Sequence, residues 1–216
     1  MQRAGDKPFD PLPLGHPGPG RTTEFYKQKQ PIFSQGEPAD SVFYLQEGQV
    51  MLTVISKQGK EAVISILGPG DFLGEGCLTD QGIRTSAATA ITRSCLLRFE
   101  RDTMIRLLHT ESAFSEYFIS YLLARNARLE EGLADQLFNS SEKRLARILL
   151  LLSRLGNEDE KVSVVPKISQ QVLADMVGTT RSRVSYFMNK FRKRGFIEYR
   201  RQFRINASLL DGFLRD

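Results

Sequence analysis

The chain has 216 residues, of which 41% are hydrophobic and 25% charged, as is ordinary for a globular protein. No apolar run approaches the roughly 20 residues that a membrane-spanning helix needs. The start of the sequence also lacks the apolar region of a signal peptide. We therefore expect a cytoplasmic protein without a membrane partner.

The two cysteines, Cys77 and Cys95, and the two histidines, His16 and His109, match no metal-binding spacing. An iron–sulfur cluster usually needs four thiolates, which this chain does not have. We expect no metal and two reduced thiols. A redox-sensing role for either cysteine is left open.

The net charge of +5 is unevenly distributed along the chain. Residues 139–216 carry 16 Lys/Arg against 8 Asp/Glu, whereas residues 1–138 carry 14 against 17. A basic C-terminal part suits a polyanion such as nucleic acid.

The first 20 residues hold five prolines and four glycines, so residues 1–22 are predicted to form a mobile arm. Between about 31 and 100, short apolar and β-branched runs alternate with turn signals. Gly48 and Gly59 stand where tight turns favour positive φ. Strands at this spacing predict an all-β sandwich or barrel.

From about 101 to 138 the pattern is helical, without proline and with glycine only at position 132. A 3-4-3-4-3 spacing, typical of a coiled-coil seam, relates Ile119, Leu122, Asn126, Leu129, Leu133 and Gln136. The polar members favour a defined register. The seam favours a homodimer, and the alternative is a lone helix packed on its own β domain.

The stretch "FNSSEKR" signals a helix stop and restart, with Asn139, Ser140 or Ser141 as the cap of the next helix. We place the domain hinge here. A helix over "EKRLARILLLLSRLG" and a short strand over "KVSVV" are predicted to follow.

The segment "SQQVLADMVGTTRSRVSYFMNKF" fits a helix-turn-helix. Ala174 is the small residue that lets two helices approach, and Gly178 supplies positive φ in the turn. Val184 and Phe187 are the apolar residues that hold the second helix on the core. "FIEYRRQFRINA" then predicts a two-stranded wing.

Nine Lys/Arg and one acid lie between Arg181 and Arg204, and arginine is the commonest bidentate partner of guanine in the major groove. A solvated helix face is the alternative explanation of this charge run. The candidate DNA-binding residues are Ser169, Gln170, Thr180, Arg181, Ser182, Arg183, Ser185, Tyr186, Lys190, Arg200 and Arg201.

Together, "FSQGEPADSVFYLQEGQV", "GPGDFLGE", "RTSA" and the helix-turn-helix resemble the CRP/FNR family of bacterial transcription regulators, over about residues 25–210. The resemblance implies an α+β protein with four parts. These are the arm (1–22), a cyclic-nucleotide-binding-like β-roll (23–109), a central dimerisation helix (110–138) and a winged helix-turn-helix (139–216).

The same resemblance implies a homodimeric regulator rather than an enzyme. It would bind a palindromic operator in double-stranded DNA and contact RNA polymerase. A small effector in the β-roll would rotate the DNA-binding domains.

In family members that bind a cyclic nucleotide, the stretch matching "GEGCLTDQGIRT" is a phosphate-binding cassette. By resemblance, Glu75 accepts the ribose 2′-hydroxyl, Arg84 pairs with the cyclic phosphate and Thr85 donates to it. The implied effector residues are Gly74, Glu75, Gly76, Cys77, Arg84, Thr85, Leu129 and Glu130. The alternative is an Arg84–Glu75 ion pair across a turn, with no ligand.

Leu129 and Glu130 stand where members that bind cyclic AMP have a threonine and a serine that bond the adenine. Leucine cannot bond the purine amino group, so cyclic AMP is disfavoured among the possible cyclic nucleotides. Cyclic GMP, another nucleotide or no ligand remain open. An effector-independent regulator, whose β-roll is only a dimerisation scaffold, is the alternative function.

Overall fold

The computed structural model describes residues 18–57, 59, 61–80, 82–154, 162–165, 168–199 and 203–215. Among them, no helix has both the length and the apolar character needed to cross a membrane. The described chain divides into two compact units, and it passes from the first to the second between Asn126 and Ala127.

Two four-stranded antiparallel sheets form the body of the first unit, with strand orders β1-β8-β3-β6 and β2-β7-β4-β5. The strands are β1 (Arg21–Tyr26), β2 (Pro31–Phe33), β3 (Ser41–Glu47), β4 (Val50–Ile55), β5 (Glu61–Leu67), β6 (Phe72–Leu73), β7 (Ala87–Ala90) and β8 (Ser94–Glu100). This is the β-roll that the sequence predicted, and Gly48 and Gly59 have the expected positive φ. β1 begins inside the segment 1–22 that we expected as an arm, of which residues 1–17 lie outside the described chain.

Strand β3 lies at the centre of the first unit and is buried on both faces. Val42 and Tyr44 pack into a cluster with residues of the helices that follow β8. Phe43 and Leu45 point the other way, into a cluster shared by the two sheets. Successive side chains of a strand alternate between its faces, so an unbroken apolar run suits a strand covered on both sides.

The helical pattern over 101–138 is divided into two helices, α1 (Arg101–Thr110) and α2 (Ser112–Phe138), the second close to the central helix expected over 110–138. The chain is extended at Glu111, with φ −115° and ψ 90°. After this break, Phe114 and Phe118 are buried in the same cluster as Phe72. The apolar periodicity runs through the break and does not reveal it.

The second unit contains the end of α2 and all later elements. These are α3 (Ser141–Arg154), β9 (Val162–Val165), α4 (Gln170–Val177), α5 (Arg181–Lys193), β10 (Ile197–Tyr199), β11 (Phe203–Asn206) and α6 (Ala207–Arg215). The strands form an antiparallel sheet in the order β10-β11-β9. The helix-turn-helix, β9 and the wing strands lie where they were predicted, and α6 is an addition.

The compact second unit begins before the predicted hinge at 139–141, although the helix break itself lies there. Arg144 of α3 explains this difference, because its guanidinium donates to the carbonyl oxygens of Gln136 (3.1 Å) and Asn139 (3.0 Å). Arg147 also pairs with Asp135. These bonds hold the last turns of α2 against α3.

Phe72 is the side chain on which we expect the first unit's stability to depend most. Its ring lies 4.9 Å from Tyr44, 5.1 Å from Phe118 and 5.2 Å from Tyr121 between centroids. Phe72→Ala should lower the free energy of unfolding by about 3–5 kcal/mol, because a buried aromatic is removed. Phe25→Ala is the matched control, since Phe25 is 78% exposed. Equal urea midpoints for the two variants would contradict this assignment.

Candidate ligand cleft and DNA-reading helix

Arg84 is a charged residue buried within the first unit, with only 5% of its surface exposed. Its Nη1 donates to the carbonyl oxygens of Ser41 (2.8 Å) and Gly74 (3.0 Å), and its Nη2 donates to Ser41 Oγ (2.9 Å). The Asp40 carboxylate lies 3.6 Å from Nη2. The guanidinium also lies over the Phe33 ring, 4.4 Å from its centroid. A buried cation needs such partners to offset its lost hydration.

The electrostatics of this cluster keep both charges in place. Burial lowers the pKa of the Arg84 guanidinium from its ordinary value, and the negative charges near it, including Asp40, act against this shift. Burial raises the pKa of Asp40, but the hydrogen bond from Ser41 and the charge of Arg98 hold it below its usual range. Within the described chain, Arg84 Nε is buried without an acceptor. This N–H is therefore unsatisfied in the present conformation.

Gly74 makes the approach of Arg84 possible. It has φ +80° and opens a short 3₁₀ turn over Glu75–Leu78. A Cβ built on Gly74 would lie 2.4 Å from Arg84 Nη1, which is too close for any real contact. The position therefore needs glycine both for its backbone conformation and for the space beside it.

Glu75 pairs with Arg125 of α2, at 2.7 Å between Oε1 and Nη1, and not with Arg84. The predicted alternative of an Arg84–Glu75 ion pair is therefore wrong. Arg125 Nη1 also donates to the carbonyl oxygen of Phe72 at 3.1 Å, and Tyr121 Oη donates to the same oxygen at 3.0 Å. Arg125 was not among the predicted site residues, because helical spacing alone does not show which part of the β-roll a cation of α2 faces.

An open cleft lies over Arg84, with an empty volume of about 330 Å³ that includes the solvent at its mouth. Its lining includes six of the predicted effector residues, namely Gly74, Glu75, Gly76, Cys77, Arg84 and Thr85. Phe33, Ala39, Leu52, Ile83, Ser86 and Arg125 complete it. Leu129 and Glu130 belong to the second unit and are exposed.

The pKa of both thiols is raised from its ordinary value. Cys77 is 1% exposed, and burial raises the pKa of its thiol. The pKa of Cys95 is raised by burial and by the nearby Glu47. Reactive cysteines have a lowered pKa and are exposed, and the pKa of both thiols is shifted in the opposite direction.

The predicted dimer seam is mostly solvent-exposed in the single chain. Ile119 is 55% exposed, Leu129 48% and Leu133 61%, and the polar members Asn126 and Gln136 are exposed as well. Leu122 departs from the prediction, because it packs partly against the core of the first unit. Its neighbour Leu123 is instead 66% exposed.

The helix-turn-helix has the local geometry that the sequence predicted. Ser169 Oγ accepts a hydrogen bond from Val172 N at 3.2 Å, and Thr180 Oγ1 accepts one from Arg183 N at 3.3 Å. Both hydroxyls therefore cap their helices. The four diagnostic positions also behave as expected, with Gly178 at φ +67° and Ala174, Val184 and Phe187 buried.

The predicted DNA-binding residues differ in their surroundings. Arg181, Ser182, Arg183 and Tyr186 are exposed, whereas Gln170 and Ser185 are half-buried. Lys190 was expected to face DNA, but its Nζ lies 2.7 Å from the Glu142 carboxylate of α3, which balances its charge. Arg200 and Arg201 lie outside the described residues.

Gly74→Ala should lower the free energy of unfolding by about 2–4 kcal/mol, through backbone strain and the displacement of Arg84. Gly76→Ala is the matched control, because a Cβ there meets nothing within 4 Å and its φ is not positive. Urea unfolding of both variants at one protein concentration measures the difference. A Gly74→Ala variant as stable as Gly76→Ala would show that Arg84 is not held as described.

Two family models match this chain. The cyclic nucleotide-binding domain matches residues 23–111, and the Crp-like helix-turn-helix domain matches residues 143–208. A CRP-like cAMP-activated global transcriptional regulator of Mycobacterium tuberculosis is 31% identical over 189 residues, 83% of this chain and 84% of that protein. The cyclic AMP receptor protein of Thermus thermophilus is 30% identical, over 80% of this chain and 77% of its own length.

A solved CRP/FNR-family transcriptional regulator from Thermus thermophilus has the same fold, with a TM-score of 0.76 at 22% identity over 90% of this chain and 99% of its own. FixK2 from Bradyrhizobium japonicum has a TM-score of 0.75 at 19% identity, over 89% of this chain and 96% of its own. With a nucleotide-binding domain followed by a helix-turn-helix, and with relatives of this similarity, the chain belongs to the CRP/FNR family of DNA-binding transcription regulators.

Proposed function

We propose that this regulator is a cytoplasmic homodimer that binds a palindromic operator and contacts RNA polymerase, and that a cyclic nucleotide in the Arg84 cleft controls its DNA affinity. The ligand assignment rests on one observation, that a buried guanidinium lies beside an open cleft. Burying a cation is costly, and a fold that needed Arg84 only for stability could replace it with an apolar residue at less cost.

The chemistry of the cleft suits a singly charged phosphate joined to a ribose. Arg84 supplies a planar cation in the lining of the cleft, and Thr85 supplies an exposed hydroxyl. Glu75 is fixed by Arg125 at 2.7 Å and carries acceptor oxygens for a sugar hydroxyl. This arrangement recognises the phosphate and sugar, and it leaves the choice of base to other residues.

The two relatives described above are named for cyclic AMP. In this chain, Leu129 and Glu130 replace the polar pair expected for adenine, so we propose a cyclic nucleotide other than cyclic AMP as the preferred ligand. The second candidate is an effector-independent regulator. It is favoured by one observation, that Arg84 already has acceptors on Ser41 and Gly74 and is held without a ligand.

The dimer proposal rests on the exposed apolar residues of α2. Ile119, Leu123, Leu129 and Leu133 expose about half or more of their surface along one helix. Removing this area from water stabilises a helix pair by about 25 cal/mol per Å². A twofold dimer presents two copies of α5 and therefore reads a palindrome.

Calorimetry with cyclic GMP and cyclic AMP, and with 5′-AMP as the doubly charged control, tests the ligand assignment. A bound ligand at about 100 times its Kd should raise the free energy of unfolding by about 2.7 kcal/mol. Arg84→Lys should abolish binding, because lysine keeps the charge but cannot reproduce the fork of donors. Operator binding with no response to any nucleotide would instead establish the effector-independent regulator.

Leu133→Arg tests the dimer. Because Leu133 is 61% exposed in the single chain, the substitution should leave the fold of the chain intact while placing two like charges in the seam. We expect sedimentation to show a monomer with operator affinity reduced at least about a hundredfold, since one half-site is lost. Leu209→Arg, at a 44% exposed leucine of α6, is the control. A Leu133→Arg variant that remains a dimer would contradict the seam.

A further inference from the structure

The buried residues of α5 fix which of its faces is presented to solvent. Val184, Phe187, Met188 and Phe191 are all 8% exposed or less. A helix turns about 100° per residue, so the side chains opposite this buried face recur at spacings of four and three. They are Ser182, Tyr186, Asn189 and Lys193, which we call the outer stripe, and all four are exposed.

The other cations of α5 lie beside the outer stripe or are engaged within the domain. Arg183 lies over the Phe187 ring, 6.0 Å from its centroid. Lys190 pairs with Glu142. Arg181 and Arg192 are exposed on the flank of the helix, about 100° from the centre of the stripe. Of the four stripe residues only Lys193, at one end, is charged. The one large apolar surface of the stripe is the Tyr186 ring.

Tyr186 is exposed over 66% of its surface, yet its ring is supported from below. It meets the Phe187 ring at 5.7 Å between centroids and an interplanar angle of 66°, an edge-to-face contact. Such a contact limits the positions of the ring. On a DNA-reading helix, such a ring offers an apolar surface to the bases in the groove.

In the major groove, thymine alone among the four bases carries an apolar group, the C5-methyl. We propose that Tyr186 is a specificity-determining residue that selects thymine by packing its ring against this methyl group. The inference rests on the assignment of α5 as the recognition helix. It implies a thymine in each half-site, at the base pair facing the second turn of α5.

The competing role for Tyr186 is a phosphate contact through its hydroxyl. The two roles depend on different atoms of the same side chain. A methyl contact depends on the ring and survives Tyr186→Phe, whereas a phosphate contact depends on Oη and is lost. On the DNA, replacing thymine by deoxyuridine deletes only the methyl group and leaves the phosphates and the base pairing unchanged.

The experiment begins with selection of operators from a random duplex library by the full-length wild-type protein, in the presence and absence of cyclic GMP. Each thymine common to both half-sites is then replaced by deoxyuridine, and Kd is measured by fluorescence anisotropy. At one of these positions we expect affinity to fall about fourfold per half-site, the worth of one buried methyl group. With both half-sites changed, the loss should be about 15-fold.

Tyr186→Phe should show the same loss on the deoxyuridine operator as the wild type. Tyr186→Ala should bind the thymine operator more weakly and be indifferent to the replacement. Because Tyr186 is exposed, both variants should keep the wild-type urea midpoint. Arg181→Ala is the control within α5, and it should bind more weakly while remaining sensitive to deoxyuridine.

Two results would overturn the inference while leaving the DNA-binding function intact. One is an operator whose affinity is insensitive to deoxyuridine at every shared thymine. The other is a Tyr186→Ala variant that remains as sensitive as the wild type. A library that yields no enriched sequence under either condition would overturn the proposed function together with the inference.

Discussion

The burial of the Arg84 guanidinium is the constraint on which the candidate ligand site depends. A cation away from water is stable only with acceptors close to it, and the surrounding chain supplies them from separate segments. Ser41 begins β3, and Gly74 follows β6. Holding Arg84 thus joins the start of a central strand to the turn that carries Glu75. The cleft has a fixed positive charge at one wall before any ligand arrives.

A second set of bonds connects this turn to α2. The carbonyl oxygen of Phe72 accepts from both Tyr121 and Arg125, and Arg125 also holds Glu75. Burial and the nearby Asp71 raise the pKa of Tyr121 to about 12, so its hydroxyl remains a donor at neutral pH. A ligand that competed with Arg125 for Glu75 would alter a bond that anchors α2.

The elements that the sequence predicted well are those whose signals are local. Strand alternation, turn glycines and helix caps depend on neighbouring residues, and the succession of short strands and the helix-turn-helix follow from them, whereas the β-roll was implied by the family resemblance. Arg125, the packing of Leu122 and the Lys190–Glu142 pair depend on contacts between segments distant in sequence. A heptad spacing fits Leu122 and Leu123 almost equally well, and only packing against the first unit decides which one is exposed. The break at Glu111 leaves the apolar period intact, so the period gives no sign of it.

Around Asn126, helix α2 carries both the arginine that pairs with Glu75 and the exposed leucines of the proposed seam. Arg125, which orients Glu75, stands one residue before the point where the first compact unit ends. Exposed apolar residues lie on both sides of that point, Leu123 before it and Leu129 and Leu133 after it. Pairing α2 with a second copy would therefore bury residues of both units along one continuous helix. If the proposed dimer forms, the seam and the ion pair that orients Glu75 share the same few turns of α2.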